Sequence, residues 1–189
     1  MNYYVVETDK HKLIQKTAGV KARQDVETIF KWNNFKKIEI PCLIEGRENK
    51  TRLGKIKAHY DVYMLWKNAL KKIKKNDWIY IQFPLLEHTM LFSLLIKNLE
   101  KRGIHTSIII HDVEAIRFTL RNDVPLSRKI RMRFEEISSF KNCSKIIVHN
   151  EKMKSFMHEK WKIHKDKMDI LGIFDYLVEN YNEELLEKR

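Results

Sequence analysis

Glycine and proline are scarce, five and three among 189 residues. That leaves no room for a Gly/Ser linker, a proline-rich spacer or another low-complexity segment. No internal repeat is present. Cysteine is scarcer still. Cys42 and Cys143 lack the spacing of a zinc or redox motif and read as reduced thiols of a cytosolic protein. Long apolar runs are missing as well: the longest, Met90 to Ile96 in "EHTMLFSLLIKNLE", falls well short of the roughly 20 residues a spanning helix needs. The opening "MNYYVVETDKHK" has no basic stretch leading into an apolar one, so nothing in it points to export. The expected location is cytoplasmic.

What is present suits one ordinary domain. Hydrophobic residues make up 43% and aromatics 11%, enough for a real core and too much for a disordered chain. The formal net charge is +12. Cations cluster at Lys71, Lys72, Lys74 and Lys75 and again at Arg128, Lys129, Arg131 and Arg133. A plain solvated helix face accounts for such clusters; an anionic membrane or an anionic ligand is the sharper reading. Nucleic acid ranks last, because no helix-turn-helix, RNA-binding aromatic signature or finger spacing accompanies the charge.

Short β-rich runs recur at 3–8, 36–41, 78–84, 106–112, 145–150 and 168–174. Their hydrophobicity is continuous rather than alternating, as in strands buried on both faces. Helical patterns lie between them. Ile56, Tyr60, Tyr63, Leu70 and Ile73 mark 52–75; Leu86, Met90, Leu94, Leu95 and Leu99 mark 86–102, with Gly103 as its terminator. Ile130, Phe134 and Ile137 mark 127–141, with Ser127 as N-cap, and Met153, Phe156 and Met157 mark 151–161, with Asn150 as N-cap. Alternating strands and helices imply right-handed crossovers and a parallel sheet. The expected fold is a Rossmann-like α/β three-layer sandwich with a mainly parallel sheet and helices on both faces.

In such sheets ligands bind beyond the carboxyl ends of the strands. Past the first strand, Thr17, Gly19, Lys21 and Arg23 open a helix whose free N–H groups and cations make an anion site. Neither GxGxxG nor GxxxxGK[ST] is there. Gln82 and Pro84 close the third strand as a cleft edge, while Glu87 and His88 read as the first turn of the next helix. The fourth strand ends in "SIIIHDVEAIR", delivering His111 and Asp112 with Glu114 and Arg117 just beyond. An imidazole beside a carboxylate is what general-base chemistry needs. Neighbours on an extended strand point oppositely, so one of the two faces the cleft while the other braces the loop. His149 ends the fifth strand and lines the same edge. The histidines do not combine with carboxylates or cysteines at metal-ligand spacing, so no metal site is expected.

Four stretches, "TAGVKARQDVETI", "IIIHDVEAIR", "IIVHNEKMKSFM" and "LGIFDYLV", occur in that order. Together they resemble the N-terminal half of bacterial GT-B glycosyltransferases of the β-1,6-galactofuranosyltransferase type, and the accessory glucosyltransferases that extend O-linked GlcNAc on serine-rich adhesins. The resemblance implies an acceptor-side, Rossmann-like domain over 1–178, followed by a charged tail over 179–189 and no donor-binding domain. It implies His111 and Asp112 as catalytic residues, with Glu114, Arg117 and His149 around the acceptor. Thr17, Gly19, Lys21 and Arg23 stand on the donor-phosphate side. It further implies a UDP-sugar donor held by the missing domain rather than by this chain, and a glycan or glycoprotein acceptor. Neither inversion nor retention of configuration is favoured by these residues. Sugar transfer by this polypeptide alone is therefore not expected. The rival reading is a non-catalytic glycan-binding or assembly module. The basic balance suits peripheral contact with an anionic membrane through Arg128, Lys129, Arg131 and Arg133. Trp32, Trp66 and Trp161 are core residues or contacts of a homo-oligomer.

Overall fold

Six short strands, each rich in β-branched and aromatic residues, pair side by side in one parallel sheet. They are β1 (Asn2–Thr8), β2 (Lys36–Pro41), β3 (Trp78–Phe83), β4 (His105–Ile110), β5 (Lys145–Val148) and β6 (Met168–Ile170), in the spatial order β2-β1-β3-β4-β5-β6. The computed structural model describes residues 1–8, 18–43, 51–118, 123–172 and 177. Among them no helix is long and apolar enough to cross a membrane.

The order reverses direction once, and this decides how the helices are shared between the faces. From β1 the chain steps one way to β2, then crosses back over β1 to β3 and continues the other way. Right-handed crossovers put the helix of the first step on one face and those of the later steps on the other. Helix α1 (Ala18–Trp32) accordingly packs on the first of these faces, where Val26 and Phe30 join Tyr4, Tyr80 and Ile109. Helices α2 (Arg52–Ala69), α3 (Phe92–Lys101), α6 (Ser138–Asn142) and α7 (Glu151–Trp161) cover the other face. There Trp66, Phe92, Leu99, Phe140 and Met157 meet Ile79, Ile81, Phe83, Ile108 and Ile146. Among the described residues helices thus lie on both faces, α1 on the first and α2, α3, α6 and α7 on the second.

Several local expectations need correcting. Helix α3 begins at Phe92, not at 86, so Glu87 and His88 stand in the loop before it. In that loop Glu7 accepts the N–H groups of Leu86 at 2.8 Å and Glu87 at 3.1 Å, which ties the stretch to β1. The end of α3 is as expected. Gly103 takes φ +73°, the Gly103 N–H meets the Glu100 carbonyl at 2.9 Å, and the Ile104 N–H meets that of Leu99 at 3.1 Å. This is a Schellman ending, and a Cβ on Gly103 would sit 2.8 Å from Lys75 Cγ. Helix α2 stops at Ala69, and its Ile56 and Tyr60 are exposed, while Ala58, Val62, Tyr63 and Trp66 are its buried side.

The segment after β4 departs furthest. It divides into α4 (Glu114–Arg117), α5 (Leu126–Arg131), a π-helical turn (Met132–Ile137) and α6. Pro125, not Ser127, is the residue before α5. Ile130 and Phe134 face outward rather than into the core. Asn150 caps α7 as expected, accepting the Met153 N–H at 2.9 Å. Trp66 and Trp161 are buried and Trp32 is two-thirds exposed, at 66%. The tail 179–189 lies outside the described residues.

Candidate functional site

Side-chain alternation sets the site. Tyr80, Ile109 and Ile147 point to the α1 face, so two residues further along each strand direction Gln82, His111 and His149 point the same way. Three polar side chains thus stand in a row at the carboxyl edge of β3, β4 and β5, beneath the helix that carries Arg23. His111 Nε2 lies 2.7 Å from Gln82 Oε1, and His149 Nε2 lies 3.4 Å from the His111 carbonyl. Arg23 donates to the carbonyl of Pro84, which follows a cis peptide bond.

The hydrogen bonds assign the His111 tautomer. The Gln82 amide nitrogen faces the Arg23 carbonyl at 3.4 Å, an acceptor only. That orients the Gln82 oxygen toward His111, so Nε2 carries the imidazole proton and Nδ1 keeps its lone pair. Burial lowers the His111 pKa to about 4, with the Arg23 charge and His149 adding to the effect. The ring is neutral at physiological pH and offers a proton-accepting nitrogen.

Asp112 has a different part. Its Oδ1 accepts the Val113 N–H at 2.8 Å, and its Oδ2 pairs with Arg117. Arg117 is exposed and Asp112 partly so; the pair braces the turn after β4 and leaves the row to His111. Glu114 is also engaged: Arg128 Nη2 reaches it at 3.1 Å, and Arg131 pairs with it as well. Burial works against this carboxylate, yet the two guanidinium groups hold its pKa below the ordinary value.

Behind this turn lies a buried acidic pair that the sequence does not announce. Glu135 and Glu136 are adjacent and both fully buried, an arrangement that the wider π-helical turn accommodates. Glu135 meets His88 Nδ1 at 2.6 Å and Arg131 Nη1 at 3.3 Å. Glu136 accepts the Ala115 N–H at 2.8 Å and leaves Oε1 without a partner among the described residues. Burial pushes its pKa up to about 7, and Glu114 and Glu135 nearby add to this.

The consequence for stability has a definite sign. The folded protein holds the Glu136 proton more tightly than the unfolded chain, whose pKa is near the ordinary 4.5. The resulting stabilisation is present below that value and is lost as pH rises toward 7. Glu136→Gln is neutral at every pH and escapes the loss. Urea unfolding at about pH 5 and about pH 8 will show the variant gaining on the parent protein as pH rises. His111 and Glu7 titrate in both proteins and cancel in the difference. An unchanged difference between the two pH values contradicts the assignment.

On the donor-phosphate side the expected residues scatter. Gly19 is exposed on the first turn of α1, and a Cβ there would touch nothing within 4 Å. Lys21 is tied to Asp25 at 2.6 Å, and Asp25 also accepts the Leu177 N–H at 3.1 Å. Arg23 alone of the cations reaches the row. Thr17 lies outside the described residues. The basic cluster is likewise divided: Arg128 and Arg131 turn inward to Glu114, while Lys129 and Arg133 stay exposed beside Leu126, Ile130 and Phe134.

A cavity of ≈ 220 Å³ opens at the same edge. Pairing between β1 and β3 ends at Tyr4–Tyr80, whereas β1 stays paired with β2 to Thr8 and β3 with β4 to Phe83. The two strands therefore part over their carboxyl halves, at the place where the strand order reverses. Val5, Glu7, Ile81, Gln82, Arg23 and Gln24 are among the lining residues. Glu7 escaped sequence reasoning because it sits inside a strand; burial pushes its pKa up to about 7 against the pull of the Leu86 and Glu87 N–H groups.

The family model described as glucosyltransferase 3-like, N-terminal domain matches residues 2–173. The chain belongs to that family. No curated protein matches it. The glucosyltransferase 3-like domain thus spans the whole six-stranded sheet, with both ends of the His111 row inside it. The match speaks for the glucosyltransferase side of the resemblance and does not extend to galactofuranosyltransferases.

Proposed function

We propose that this domain forms the acceptor side of a nucleotide-sugar-dependent glucosyl transfer, with UDP-glucose held by a second domain facing the carboxyl edge of the sheet. The observation that carries the reading is the convergence of Gln82, His111, His149 and Arg23 on one edge, with His111 Nδ1 as the proton-accepting nitrogen that has no partner among the described residues.

The chemistry follows from that geometry. An acceptor hydroxyl oxygen bonds to the anomeric carbon, the bond from that carbon to UDP breaks, and the hydroxyl proton passes to His111 Nδ1. The low pKa belongs to the unliganded edge, where burial and Arg23 both oppose protonation. A diphosphate beside it adds negative charge and raises the pKa toward neutrality, where a general base works best. Arg23 and the exposed N-terminal turn of α1 at Gly19 suit the donor diphosphate. Asp112 and Arg117 brace the turn, and Glu114 is locked beneath it.

The test combines the chain with UDP-glucose, UDP-galactofuranose and an O-GlcNAc peptide, with and without a donor-binding domain. UDP release that needs the second domain and prefers UDP-glucose supports the proposal. Glycan binding without turnover in either mixture favours a non-catalytic module instead.

A further inference from the structure

Strand parity identifies which main-chain groups line the gap between β1 and β3. In a parallel strand the N–H and C=O of one residue point to the same neighbour, and the next residue points to the other. The Cys42 N–H meets the Thr8 carbonyl at 2.9 Å, so Thr8 points to β2 and Glu7 and Val5 point to β3. The His111 N–H meets the Phe83 carbonyl at 2.8 Å, so Phe83 points to β4 and Gln82 points back to β1. The next rung of the ladder joins the Gln82 N–H to the Val5 carbonyl. It falls beyond the paired register.

A main-chain donor and acceptor thus face each other across a walled cavity, where polar groups left without partners are costly. Three features define what satisfies them. The gap offers donors and acceptors together, as a hydroxyl requires. Its walls at Val5, Ile81, Trp66 and Leu86 are apolar, as the C–H faces of a sugar ring require. Its charged lining is balanced, Glu7 and Glu27 against Arg23 and Lys37, and Lys37 is paired with Glu39 at 2.6 Å, so the gap holds no excess positive charge for a phosphate or a sugar acid. At ≈ 220 Å³ the cavity lies below the range of about 300–1,000 Å³ for drug-sized ligands. It suits one ring.

We propose that this gap is a subsite for a single neutral sugar ring of the acceptor, bound by the Val5 carbonyl, the Gln82 N–H and the Glu7 carboxylate; the proposal rests on the acceptor-side reading above. Each Glu7 oxygen accepts one main-chain N–H and keeps lone-pair capacity for a hydroxyl. Gln82 then serves two neighbours at once. Its main chain holds the ring, and its side chain orients His111.

Amide shifts in ¹H–¹⁵N spectra of the full chain, titrated with N-acetylglucosamine and with glucose, test this. Saturable shifts of the Gln82 and Glu7 amides are expected. Gln24 is exposed on α1 and lines the mouth, so Gln24→Trp plugs the gap without touching the core. That variant weakens binding by about tenfold or more. Shifts confined to His111 and His149, unaffected by the plug, overturn the subsite and leave the acceptor-side reading standing. Shifts nowhere along the carboxyl edge overturn both.

Discussion

His111→Ala lowers kcat/KM for sugar transfer by about 10²–10⁴-fold, the range that a positioned general base supplies. The loss is expected to fall on kcat, with KM for the nucleotide sugar little changed, because the proposed role of the imidazole is on the acceptor hydroxyl rather than on the donor. Folding should be spared, since among the described residues the ring's side-chain bond is the one to Gln82. Gln82→Leu keeps the bulk and removes the amide, freeing the tautomer. We expect part of the same kcat loss, and ¹⁵N shifts of the His111 ring showing both tautomers where the parent protein shows Nε2–H. Full activity in His111→Ala removes the base from this residue. An unchanged tautomer in Gln82→Leu removes the positioning argument alone.

The second large effect is on stability. Arg131 is 17% exposed and bridges Glu114 to the fully buried Glu135. Removing it leaves Glu114 paired with Arg128, and leaves Glu135, which is sealed from water, with His88. Breaking a buried ion pair from one side costs about 3–5 kcal/mol, so Arg131→Ala should lose an amount of that order in urea unfolding. Lysine should rescue poorly, because one ammonium cannot reproduce a guanidinium fork that serves two carboxylates. Arg117→Ala provides the contrast. Its pair with Asp112 is 58% and 41% exposed, and exposed pairs contribute about 0–1 kcal/mol. Equal losses at Arg117 and Arg131 would mean that the buried network does not hold the turn after β4.

These two predictions differ in how much of their basis the sequence discloses. His111 was legible: three isoleucines ending in a histidine mark a buried strand, and a parallel sheet puts ligands at such ends. Its division of labour with Asp112 follows from alternation, and the structure shows Asp112 in the bracing position. Arg131 was misread as a surface cation: Glu135 stands at the local i,i+4 spacing, but Glu114 is brought to it from α4 and no local spacing reveals that partner. "MRFEEI" looks like an ordinary helical stretch with a polar stripe. Two consecutive buried glutamates run against the 3.6-residue period, and only the tertiary partners His88, Arg131 and Ala115 make them intelligible.

The same limit applies to the gap between β1 and β3. "YYVVET" and "WIYIQF" both read as continuous strands, and nothing local says that their pairing stops at Tyr4–Tyr80. Strand existence is a matter of residue type. Pairing length depends on how the following loops are anchored, here by Glu7 on Leu86 and Glu87 and by Arg23 on Pro84.

The most direct measurement is transfer of labelled glucose from UDP-glucose to an O-GlcNAc peptide, with this domain and a donor-binding domain supplied together. The account predicts labelled disaccharide that requires both domains and falls about 10²–10⁴-fold with His111→Ala. Labelled product that survives His111→Ala undiminished, or UDP released with no sugar on the peptide, would contradict it.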